Sequence, residues 1–149
     1  MKKLFLFTCL SAFALTFNSC SDDDSAPANG GTSGSVTMTI DGTQKTYNTV
    51  TVSPDENVVY VTASQDGAAD NTVTFSASKG TTGTGVIPGL ELVYNGKATY
   101  ANSDFNCNVA VNSNGKFKGT FIGSFQIYNE QTGEATDHTI TNGSFDINY

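Results

Sequence analysis

Few side chains in this 149-residue chain are equipped for catalysis or metal binding, and their spacing restricts them further. His138 is the single histidine, so a zinc centre built on histidines cannot be assembled. A serine triad centred on His138 is formally open because serines and aspartates are plentiful, but no serine sits in a Gly-x-Ser-x-Gly elbow. Carboxylates acting in pairs on a glycoside must face one substrate from about 5 to 10 Å apart. Asp55 with Glu56, Asp66 with Asp70, and Glu130, Glu134 and Asp137 all fall in stretches rich in turn formers, where carboxylates cap or hydrate turns. Oxygens of Asp66, Asp70 and Asn71 in "DGAADN" suit calcium better than acid catalysis, yet the segment lacks the ligand spacing and closing glutamate of an EF-hand. The glycines of "TTGTGVIPG" open no helix after a strand, so no dinucleotide fingerprint is present. The expectation is a protein without catalytic, metal or cofactor residues, and not an enzyme.

Cys20 is suited to a different chemistry, covalent lipid attachment. Met1, Lys2 and Lys3 precede a largely apolar run from Leu4 to Phe17, which is short for a spanning helix of about 20 residues and fits a signal peptide. An ordinary cleaved secretory peptide is one reading. The other is a lipoprotein signal over residues 1–19, with Asn18 and Ser19 before the cysteine that becomes the lipidated first residue; Phe17 departs from the aliphatic residue usual three positions before it. Lipidation also settles the thiols. Cys9 leaves with the signal, Cys20 becomes a thioether, and Cys107 has no internal partner, so no disulfide framework forms.

The sequence after Cys20 carries a resemblance. Ser21, Asp22, Asp23 and Asp24 are similar to the serine and short acidic run that follow the lipidated cysteine in surface lipoproteins of Bacteroidota, where they serve as an export signal. This implies an outer-membrane, lipid-anchored protein displayed at the cell surface. A solvated charge run is the alternative. Asp24, Ser25 and Ala26 resemble the short motif that Bacteroidota O-glycosylate, which would place a glycan on Ser25. Residues 20–35 hold no apolar side chain larger than Ala or Pro beyond the cysteine, so they are expected to form a flexible acidic tether, of end-to-end distance roughly 20 Å.

Residues 36–149 have the length of one domain. After Cys20 there are 11 Val, 6 Ile, 6 Phe and 6 Tyr against two Leu, a composition for strands. Apolar residues alternate through Val36, Met38, Ile40; Val59, Val61, Ala63; Val73, Phe75, Ala77; and Phe121, Phe125, Ile127. Asp41-Gly42 and Asn95-Gly96 suit two-residue hairpin turns. Around Asn114-Gly115 the parity of the flanking residues predicts a three-residue loop, pairing Val111 with Phe117 and Cys107 with Phe121 and placing Gly115 in the left-handed position of a bulged turn. That puts Phe105, Cys107, Val109, Val111, Phe117 and Phe121 on one core face, the thiol acting as a small hydrophobe. Ile140 lies on even positions but Phe145, Ile147 and Tyr149 on odd ones, which predicts a bulge at Asn142-Gly143. His138 is expected in the loop between the last two strands. The fold class is all-β, a single antiparallel β-sandwich or flattened barrel of about eight or nine strands.

Residues 115–149, "GKFKGTFIGSFQIYNEQTGEATDHTITNGSFDINY", resemble the end of a family of small Bacteroidota lipoprotein domains of unknown function, in which a Gly-Thr-Phe strand is followed by a closing strand with Thr-Asn-Gly, then Ser or Thr, then Phe. The resemblance implies an all-β domain on the cell envelope and supplies no activity. After Cys20 the chain carries five lysines, no arginine and 14 acidic residues, a net charge of −9, which excludes nucleic-acid partners. Three classes of function follow: a surface-anchored, non-catalytic binding or accessory module, a structural or interaction component of an envelope assembly without a small ligand, and, with no specific feature in its favour, a hydrolase. Partners would be the membrane, through the N-terminal lipid, and a glycan or envelope protein. With no tryptophan in the chain, aromatic platforms for a glycan would have to come from Tyr60, Tyr94, Tyr100 or Tyr128.

Overall fold

The computed structural model describes residues 32–149. They form eleven strands and, among the described residues, no helix: β1 (Ser33–Ile40), β2 (Thr43–Tyr47), β3 (Thr49–Pro54), β4 (Val58–Ser64), β5 (Thr72–Ser78), β6 (Gly83–Thr84), β7 (Glu91–Tyr94), β8 (Lys97–Tyr100), β9 (Asn106–Ser113), β10 (Lys116–Asn129) and β11 (Glu134–Asn148). A six-stranded antiparallel sheet in the order β2-β1-β11-β10-β9-β6 packs on a five-stranded one in the order β3-β4-β5-β7-β8. The two stay separate sheets, so the molecule is a β-sandwich and not a closed barrel. The strand number exceeds the expected eight or nine because short pieces such as the two-residue β6 have too few residues to show alternation.

Period-2 alternation is why these strands form here. Val36, Met38 and Ile40 of β1, Val59, Val61 and Ala63 of β4, and Val73, Phe75 and Ala77 of β5 are all buried between the sheets. β1 begins at Ser33, so residues expected in the tether are paired, Gly34 with Ile147 and Ser35 with Asp146. These small polar residues have no alternation to reveal them; the long partner strand β11 recruits them through backbone hydrogen bonds.

Four Asx-Gly pairs take positive φ at both residues: Asp41-Gly42, Asp66-Gly67, Asn95-Gly96 and Asn114-Gly115. Register makes three of them two-residue hairpin loops, closing Ile40 on Thr43, Tyr94 on Lys97 and Ser113 on Lys116. The last corrects the expected three-residue loop. Val111 faces Lys118 and Phe117 faces Asn112, and parity is restored inside β9, where Ala110 is the extra residue before Val109 meets Gly119 and Cys107 meets Phe121. Cys107, Val109, Phe117 and Phe121 are therefore buried as expected, and Phe105 packs partly buried against them. Val111 is half-exposed, and the buried position goes to Asn112. Asn112 donates its amide to the carbonyls of Ser78 at 2.8 Å and Thr81 at 3.1 Å, tying β9 to the turn after β5. In β11 the extra residue lies at Asn142, with φ of 51°, so that Ile140 before it and Phe145 and Ile147 after it all face inward.

The core is densest where β10 and β11 pair glycine with phenylalanine. Gly119 lies opposite Phe145 and Phe121 opposite Gly143, and each ring covers the bare backbone across from it. A Cβ on Gly119 would stand 2.5 Å from the Phe145 ring, and one on Gly143 would stand 2.5 Å from the Phe121 ring. Neither glycine has a left-handed backbone, so space and not φ requires them. Phe145 also meets Phe117 at 4.7 Å and Phe75 of the opposite sheet at 5.2 Å between ring centroids. Gly143→Ala should destabilise the domain by about 1 to 3 kcal/mol through overpacking, whereas Phe121→Ala should cost about 3 to 5 kcal/mol. Urea unfolding followed by circular dichroism measures both, and the Gly143 variant unfolding at the wild-type midpoint would contradict the close approach.

Candidate functional site

The outward positions of the five-stranded sheet build a surface feature flanked by aromatic side chains. β4 and β5 bury alternate residues, and register continues their outward positions across β7 and β8 as rows on the outer face. One row runs Thr51, Thr62, Thr74, Glu91, Tyr100, and the next runs Ser53, Tyr60, Ser76. Thr62 and Thr74 bring their hydroxyls to 3.4 Å. β7 pairs with β5 over only Thr72 to Thr74, after which the chain bends away through Pro88 and Gly89. A cleft of about 550 Å³ opens at that divergence, lined by Tyr60, Thr74, Phe75, Ser76, Pro88, Gly89, Leu90, Glu91 and Tyr100. Its floor is core, since Phe75 and Leu90 are buried. Its flanks are aromatic: Tyr60 is 47% exposed and Tyr100 68% exposed, although both belong to a residue type that could have been tucked inward, as Tyr47 is. A smaller hollow continues past Tyr60, Ser76 and Pro88 toward Val58 and Val86.

Tyr128, exposed on β10, borders another hollow of about 700 Å³ between the tips of the β7–β8 and β10–β11 hairpins. That space is larger but presents one exposed tyrosine, between Lys97 and Glu130. Tyr94 is half-buried and points inward, meeting Phe125 at 5.4 Å and His138 at 5.3 Å. Of the four tyrosines singled out in the sequence, the fold thus brings Tyr60 and Tyr100 to one cleft and separates the other two.

His138 lies within β11, not in the loop where the sequence placed it, and stacks on Phe125 at 4.9 Å. The turn-rich stretch around Thr132-Gly133 masks the strand that follows it. His138 donates its Nδ1 proton to Asp41 Oδ2 at 2.6 Å, and Asp41 Oδ1 accepts the Thr139 amide at 2.9 Å. The Asp41 carboxyl is held below its ordinary range by the Thr139 amide first and by His138 second. An aspartate orienting a histidine is two parts of a triad, but the imidazole packs against Phe125 and Tyr94 and among the described residues no serine, threonine or cysteine hydrogen-bonds to it. Nothing in the sequence pointed to this pair; only the adjacency of β1 and β11 creates it. Nearby, burial first and Tyr94 second push the Tyr47 hydroxyl up to about 12.

The remaining carboxylates disperse. Asp66 exchanges hydrogen bonds with Asn48, accepting at 2.7 Å and donating its amide at 2.9 Å, and Asn71 Oδ1 accepts the Asn95 amide at 3.3 Å. Two of the three side chains considered for calcium in that segment, Asp66 and Asn71, thereby join turns. Among the described residues no three His, Cys, Asp or Glu side chains gather as a metal ion would require. Cys107 is buried, its sulfur accepting the Ile87 amide at 3.2 Å. Cys20, Ser21, Asp22, Asp23, Asp24 and Ser25, like the signal segment 1–19, lie outside the described residues. No protein-family model matches the chain, and no curated protein matches it.

The depressed Asp41 carboxyl makes a pH-dependent contribution to stability. Because its folded value lies below the unfolded one of about 3.9, that contribution is present above this pH and is lost as pH falls through the folded value. Melting temperatures between pH 6 and pH 2 should therefore fall more steeply for the wild type than for Asp41→Asn, and parallel curves would remove Asp41 from the account.

Proposed function

We propose that this chain is a surface-displayed envelope lipoprotein, held by lipid on Cys20, whose β-sandwich is a non-catalytic binding module using the cleft between Tyr60 and Tyr100. The observation that carries the reading is the convergence of these two exposed tyrosines, from strands on either side of β5 and β7, on one cleft with a buried floor. Tyrosine offers a rigid ring with a polar tip, which suits it to contact surfaces that must also stay soluble. The dispersal of the carboxylates and the packing of His138 against Phe125 and Tyr94 favour binding over catalysis. The apolar run before Cys20 and the acidic residues after it support anchoring and display. Two or three acyl chains, at about 0.8 kcal/mol per buried CH₂, anchor stably where one chain binds reversibly.

Cys20→Ala should release or mislocalise the protein; retention in the membrane fraction through a high-salt wash would contradict the lipid anchor. Replacing Asp22, Asp23 and Asp24 together by Asn, Ser and Gly should leave folding unchanged but protect the protein from protease added to intact cells. Equal digestion of both forms would reduce the acidic run to a spacer. The binding reading is tested on solubilised envelopes: cross-linked material recovered with the wild type should be lost with Tyr60→Ala/Tyr100→Ala, and identical recovery would count against the cleft.

A further inference from the structure

We infer that the Tyr60–Tyr100 cleft takes a neutral, polyhydroxylated ligand, a short oligosaccharide, with the two tyrosine rings as stacking platforms and Thr74, Ser76 and Glu91 as its hydrogen-bonding partners. This rests on the reading of that cleft as a binding site and adds the class of ligand.

The lining residues argue the chemistry. A pyranose ring presents an apolar face of C–H groups and an edge of hydroxyls, so it needs aromatic faces beside short polar side chains. Tyr60 and Tyr100 supply the first, and Thr74, Ser76 and Glu91 the second. A carboxylate is an acceptor only, and sugar hydroxyls are donors; Thr74 and Ser76 can do either. Charge selects further. The cleft contains Glu91 but neither Lys nor Arg, and the chain beyond Cys20 carries −9, so phosphorylated, sulfated or uronate-bearing ligands would meet a like charge without a counterion.

Size and rigidity agree. The volume of about 550 Å³ lies in the range of sites that enclose small ligands. Tyr60 and Tyr100 stand three inter-strand steps and one row apart, which at ordinary sheet spacings is roughly 16 Å between Cα atoms. That span matches several linked rings, not one. The floor is preformed by the core residues Phe75 and Leu90, and Pro88 fixes part of the wall, so little ordering is required on binding.

Tyrosine fluorescence gives a direct readout because the chain has no tryptophan. The full chain in detergent would be titrated with neutral β-linked hexose and N-acetylhexosamine oligomers, with a uronic-acid oligomer of the same length, and with a proline-rich peptide. Neutral oligomers should bind, the uronate should bind at least about tenfold more weakly, and Glu91→Gln should narrow that difference. Tyr60→Ala and Tyr100→Ala, each with an unchanged melting temperature, should weaken binding about tenfold or more, while Tyr128→Ala should not. Saccharide binding that depends on Tyr128 and not on Tyr60 or Tyr100 would overturn the assignment. Binding of the peptide alone, or no saccharide binding while envelope material is still captured through Tyr60 and Tyr100, would overturn the ligand class and leave the cleft as a binding site. Loss of that dependence as well would remove both readings.

Discussion

Phe145 can lie flat over Gly119, and Phe121 over Gly143, only because each glycine leaves the space that a side chain would fill. Most of the core geometry depends on that pairing. It seats Phe145 within reach of Phe117 on its own sheet and Phe75 on the other, so one ring cluster sets how closely the two sheets approach. Phe75 in turn fixes β5, whose outward neighbours Thr74 and Ser76 line the cleft. A packing decision in β10 and β11 is thus transmitted through the core to the opposite surface.

The two ends of the sandwich are held by different physics. Below the bulge at Asn142 the interface is hydrocarbon, with aromatic rings on glycine. Beyond it, β11 carries His138 instead, which stacks on Phe125 and is clamped by Asp41 from the β1–β2 turn. There the cost of placing a polar ring near the core is offset by a charge-assisted hydrogen bond and by the amide of Thr139 on the same carboxylate. The bulge permits both arrangements in one strand, because it changes which parity faces inward.

The cleft originates in incomplete pairing. β5 continues to Ser78, but β7 accompanies it for only three residues, because the intervening chain leaves the sheet to add β6 to the other one and returns through Ile87 and Pro88. Ile87 closes the core beside Cys107, and Pro88, which has no amide hydrogen to contribute, marks where the strand departs. The crossover that seals one side of the sandwich leaves the opening on its outer face.

Fold class, the inward face of most strands, the Asp41-Gly42 and Asn95-Gly96 turns and the bulge at Asn142 were legible in the sequence, because each is set by local chemistry: a period of two, a dipeptide tolerant of positive φ, a change of parity. Local parity failed at Ser113 to Lys116. A bulged turn and a tight turn with a bulge at Ala110 both set Cys107 opposite Phe121, but the second turns Val111 outward and buries Asn112, which is held by the carbonyls of Ser78 and Thr81. Tyr60 and Tyr100 are 40 residues apart, and Asp41 and His138 97 apart, with no periodic signal linking either pair. Strand order alone brought them together, because neighbours across a sheet are chosen by the global pairing of backbones and the burial of whole faces, which no short window of sequence contains.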